Sequence, residues 1–137
     1  MPFIQNVPLR SIPLGHHIEP GENAMLIQIV DPCHEFPSPK YKFKEVHQFE
    51  FLDVEDEKDD GWEFRITQEQ ANRLVELLQH ALNNRMTVLV HCHAGLCRSG
   101  AVAEVGIMMG FDDTETTRIP NVLVKTSMMR KLGWTYD

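Results

Sequence analysis

The chain is poor in cysteine, short of basic charge and without a long apolar run, and each shortage excludes something. Only three cysteines occur among 137 residues, Cys33, Cys92 and Cys97. An odd and sparse set is no disulfide framework, so reduced thiols are expected. No stretch approaches the roughly 18 apolar residues of a membrane span, and Met1-Pro2-Phe3-Ile4-Gln5-Asn6 lacks the charged start and apolar run of a secretory leader. A soluble, cytoplasmic protein without a membrane partner is expected. Bases number 13 against 20 acids, for a net charge of −7, which argues against a nucleic-acid partner and a polybasic membrane surface. There is no internal repeat, low-complexity tract or linker, and residues 1–137 are expected to form a single domain.

The negative charge is local. From Glu50 to Glu63 there are eight acids and one base, which leaves 12 acids and 12 bases elsewhere. Taken alone, such a block reads as a solvated loop, because like charges repel.

Hydrophobic periodicity gives the class. Phe3 to Leu9, Met25 to Val30 and Val46 to Val54 read as strands, and Met86 to His91 as a central strand buried on both faces. Thr67 and Gln70 make a capping box for a helix ending near Asn83-Asn84. A second helix should run from Ser99 to Met109 and stop at Gly110, and a third should open at Pro120. Strands alternating with helices predict an α/β domain with a largely parallel central sheet flanked by helices, in which ligands bind beyond the carboxyl ends of the strands.

The segment His91-Cys92-His93-Ala94-Gly95-Leu96-Cys97-Arg98-Ser99-Gly100 lies between the buried strand and a helix. A helix N-terminus offers free N–H groups and partial positive charge, which favour an anion and favour thiolate, the nucleophilic form of cysteine. Arg98 adds a fork of donors suited to two phosphate oxygens, and Gly95 permits a turn that a side chain would obstruct. Four soft metal ligands also lie close together here, but neighbouring strand residues such as His91 and Cys92 point to opposite faces, and no Cys-x2-Cys pair is present. No metal or cofactor is expected.

These residues resemble the signature of the protein tyrosine phosphatase superfamily, His-Cys-x-x-Gly-x-x-Arg-Ser, at every fixed position from His91 to Ser99. Val88-Leu89-Val90, Phe49-Glu50-Phe51-Leu52-Asp53 and Ile119-Pro120-Asn121 are similar to further segments of small bacterial and dual-specificity-like members. The resemblance implies that Cys92 attacks phosphorus and forms a phosphocysteine. It implies that Arg98 and the backbone from His93 through Ala94, Gly95, Leu96 and Cys97 hold the phosphoryl oxygens. Ser99 would help the thiolate leave, and His91 would orient the loop by hydrogen bonding. Asp53 is the first choice for the general acid, since it follows a strand of the right character. It stands 39 residues before Cys92, further than in compact members, so Asp56 and the pair Asp59 and Asp60 stay open.

The implied substrate is a phosphorylated protein or peptide, phosphotyrosine first and phosphoserine or phosphothreonine second. The loop lacks the lysine of phosphoinositide-type members, and the chain has no room for the recognition loop of the large tyrosine-specific domains. A catalytically inactive phosphopeptide- or anion-binding module of the same fold is the alternative. Cys97 stands where a small residue is common, and either fills the loop or forms a reversible disulfide with Cys92 under oxidation. Oligomeric state is not legible.

Overall fold

The structure, a computed structural model, describes residues 2–134. Five strands, β1 (Phe3–Pro8), β2 (Ala24–Val30), β3 (Glu45–Glu50), β4 (Thr87–Cys92) and β5 (Asp112–Asp113), form one sheet in the order β3-β2-β4-β1-β5. Every pairing is parallel. The helices are α1 (Ser11–Leu14), α2 (Gln68–Asn83), α3 (Arg98–Met109) and α4 (Val122–Leu132), with a 3-10 turn at Trp62–Phe64. The expected class, an α/β domain built on a central parallel sheet, is the class found.

The central strand β4 is apolar because both its faces are covered. Val88, Val90 and Cys92 join the large core made with α2, α3 and α4, whereas Leu89 packs with Val7, Ile12, Leu26 and Phe43 on the other side. Helix α2 begins as its sequence predicts: the Thr67 side chain accepts from the Gln70 N–H while the Gln70 side chain accepts from the Thr67 N–H. Such caps are worth about 1 kcal/mol. No helix among the described residues is long and apolar enough to cross a membrane.

Most expected boundaries move by one residue, α3 for instance starting at Arg98 rather than Ser99, and three of the shifts bear on the site. The third strand ends at Glu50 rather than Val54. Its neighbour β2 stops before Asp31-Pro32, and proline has no N–H for a ladder. Phe51 N–H still reaches Val30 O at 3.2 Å, and Leu52 N–H then turns to Phe64 O at 2.9 Å. The last helix starts at Val122, not Pro120, because the buried Asn121 side chain accepts from the Val124 N–H and caps it. Strand β4 runs one residue past His91, so Cys92 is its last residue. The short elements α1 and β5 have no periodicity to announce them.

Candidate active site

Residues 93–97 join the end of β4 to the start of α3, and the loop is shaped by holding its carbonyl groups from outside. Leu9 N–H donates to Cys92 O and His93 O at 2.9 and 3.2 Å. Asn6 Nδ2 donates to Gly95 O at 2.7 Å. Ile119 N–H donates to Leu96 O and Asn121 N–H to Cys97 O, both at 3.0 Å. With its carbonyls turned outward, the loop keeps its amides: no N–H from His93 to Cys97 has a hydrogen-bond partner among the described residues. Gly95 makes this path feasible. Its φ is +75°, and a Cβ there would lie 2.3 Å from Pro8 N and 2.5 Å from the Val7 carbonyl carbon, backbone atoms that cannot give way.

Cys92 and Ser99 meet across the loop, with Sγ and Oγ 3.1 Å apart. Arg98 is buried, and its Nη1 donates to Asp31 Oδ1 and to Phe51 O, each at 2.7 Å. These two bonds fix one edge of the guanidinium. Its Nε is buried with no partner among the described residues, an arrangement that an anion's oxygen would complete. Cys92, His93, Ala94, Cys97 and Arg98 line one cleft of about 310 Å³ together with Asp31, Leu52, Asp53, Val54 and Asp60. Gly95 and Leu96 shape the loop from behind this lining.

Among the candidate acids, the structure brings Asp53 and Asp60 to the cleft and leaves Asp56 and Asp59 outside it. Asp59 Oδ2 accepts from the N–H groups of Glu55 and Asp56 at 2.9 and 3.2 Å, and Asp56 Oδ1 accepts from Lys58 N–H at 3.0 Å. Both carboxylates therefore fold their own loop. Asp53 Oδ1 accepts from Asn121 Nδ2 at 2.7 Å, and Asn121 Nδ2 also reaches Val54 O at 3.2 Å. One buried asparagine thus ties the acid segment, the 93–97 loop and the cap of α4 together.

All three cysteines are free thiols. Cys97 has its thiol pushed up by burial first, then by the negative charge of Asp53 and of Cys92, which keeps it protonated and blunts it as a nucleophile. Among the described residues no group of three or more His, Cys, Asp or Glu side chains is placed to hold a metal ion.

His91 departs from expectation. Neither ring nitrogen makes a hydrogen bond of good geometry among the described residues, although the Cys92 backbone lies close enough to act on the ring. Burial is the largest influence on it, the Cys92 backbone offsets part of this, and the charge of Arg98 adds; the imidazole is lowered to about 4. The unfolded chain then binds a proton near pH 6.5 that the folded chain refuses until about pH 4. Stability contributed by the neutral ring is complete above pH 6.5 and is lost as pH falls through that window, by about 3 kcal/mol. Urea unfolding at neutral pH and near pH 4.5 should show this loss, and His91→Gln should have a much flatter profile over the same range.

Three residues of the site were not singled out from sequence. Asp31 directly follows the carboxyl end of β2, and the carboxyl ends of parallel strands are where ligands bind, which marks it as a candidate. Asn6 is a polar residue inside an apolar strand. Asn121 stands beside Pro120 in the sequence, but its reach to Asp53 depends on tertiary packing. Neither a protein-family profile nor any curated protein matches the sequence.

Proposed function

We propose that the chain is a cysteine-dependent phosphatase of the protein tyrosine phosphatase type. It hydrolyses phosphomonoesters on proteins, phosphotyrosine first, through a phosphocysteine. The observation that carries this reading is the loop with its carbonyls bonded outward and its amides free, wrapped around the Cys92 thiol. Oxygens of a phosphoryl group would take those N–H groups and the free edge of Arg98, so that the charge of the transition state meets donors already in position.

In the first step the Cys92 thiolate forms an S–P bond as the ester P–O bond breaks, and Asp53 gives its proton to the departing oxygen. Asn121 occupies Asp53 Oδ1, so the transferable proton belongs on Oδ2. In the second step Asp53, now a carboxylate, takes a proton from water as the water oxygen attacks phosphorus. The Cys92 thiolate leaves, stabilised by the Ser99 hydroxyl 3.1 Å away, and phosphate is released. Asp31 touches only Arg98 among these groups and acts as a positioning residue.

Hydrolysis of an aryl phosphate by reduced protein tests this reading. Turnover should need no added metal, survive EDTA and be abolished by vanadate, which mimics the five-coordinate phosphoryl group. Metal-dependent turnover, or none from folded and reduced protein at mildly acidic pH, would overturn it. The binding-module alternative predicts phosphate affinity without turnover.

A further inference from the structure

The acidic segment spends most of its carboxylates on its own architecture. Glu50 accepts from Cys33 N–H at 2.8 Å and Glu55 from Val122 N–H at 2.6 Å. Asp53, Asp56 and Asp59 are occupied as described above. Glu57, Asp60 and Glu63 have no hydrogen-bond or ion-pair partner among the described residues, and of these three only Asp60, exposed to solvent, lines the cleft with Cys92 and Arg98. Its place is set by its neighbour. Gly61 has a φ of +85°, and a Cβ there would lie 2.4 Å from Leu52 Cδ1. Leu52 itself lines the cleft, and the Leu52–Phe64 backbone bond closes the loop on this side.

The same cleft holds Arg98, 4% exposed, whose Nε lacks a partner. The cleft therefore offers two groups of opposite sign, a buried guanidinium edge suited to an anion and, beside Asp31 and Asp53 that are already bonded, a solvent-facing carboxylate without a partner that is suited to a cation. We infer that Asp60 is a subsite for a cationic group of the substrate, so that the preferred phosphomonoester carries an ammonium or guanidinium near its phosphate. The anionic half of this inference rests on the phosphatase reading. A lysine or arginine beside a phosphorylated residue would supply the cation, as would a small aminoalkyl phosphate.

Calorimetric binding to the Cys92→Ser variant, which keeps the loop but cannot form the phosphocysteine, separates the possibilities. The probes are phenyl phosphate and its para-aminomethyl and para-carboxy derivatives. At low salt the aminomethyl ester should bind about tenfold more tightly than the carboxy ester, the scale of one charge contact at a partly solvated site. The preference should fade in high salt, shrink to about twofold with Asp60→Asn added, and reverse with Asp60→Lys. Phosphotyrosine peptides flanked by Arg or by Glu, alongside phosphoethanolamine, distinguish a peptide source of the cation from a small-molecule source. Equal affinities, or a preference that survives Asp60→Lys, would overturn the inference while leaving the phosphatase reading intact. Failure of every phosphate probe to bind would overturn both.

Discussion

Replacing Cys92 with serine should lower turnover of an aryl phosphate by at least about 10⁴-fold, with phosphate still bound. Serine keeps the shape of the side chain and can still meet Ser99 across the loop, where Cys92 Sγ lies 3.1 Å from Ser99 Oγ. It cannot supply a nucleophile of comparable strength, because an alcohol ionises far less readily than a thiol at neutral pH. Steady-state rates and calorimetric phosphate affinity, measured on the same preparation, test both halves of this expectation. A Cys92→Ser protein that retained more than a few per cent of turnover would exclude the thiol as nucleophile.

Asp53→Asn should cost about 10² to 10⁴ in kcat, the usual contribution of a positioned general acid. The isosteric amide can still accept from Asn121 through its oxygen, so the fold of the segment should be retained. What is lost is the proton, and the loss should therefore depend on the leaving group. Phenyl phosphate, whose phenolate leaves poorly, should suffer more than nitrophenyl phosphate. The limb of the pH–rate profile that reports ionisation of the acid on the basic side should vanish. Asp56→Asn, altering a carboxylate that only caps the Lys58 N–H, should leave turnover within about twofold. Should Asp53→Asn keep its basic limb, the proton comes from another group, and Asp60, the carboxylate of the cleft that has no hydrogen-bond partner among the described residues, would be the group to replace next.

Much of this architecture is legible in the sequence because its signals are local. The capping box at Thr67 and Gln70, the uncharged run before His91 and the loop spacing from Cys92 to Arg98 are decided by residues within a few positions of one another. The choice among acidic residues is not local. Asp53, Asp56, Asp59 and Asp60 have similar surroundings in sequence, and only the closure of the loop by Leu52 and Phe64 separates those facing the cleft from those bonding to their own backbone. Asp31 and Asn6 escape for a related reason. Asn6 lies on β1 and Asp31 just past the end of β2, both far from Cys92 in the chain, and they meet the site through strand order, β2 and β1 flanking β4. The hydrogen bond expected of His91 has no partner of good geometry among the described residues, and the sequence around the ring carries no local signal for the burial that keeps it neutral. The charge of the chain is likewise better understood as position than as a total: a loop that folds on its own carboxylates and leaves one unpaired at the cleft.

The central claim is that Cys92 carries the phosphoryl group between substrate and water, and it can be observed. Wild-type protein mixed rapidly with an aryl phosphate, quenched in acid within the first turnover and digested should yield the Cys92 peptide bearing one phosphoryl group. That label should decay as the reaction completes, and it should be absent from Cys92→Ser. Turnover with no label on Cys92 at any quench time, or a label that persists in Cys92→Ser on another residue, would contradict the account.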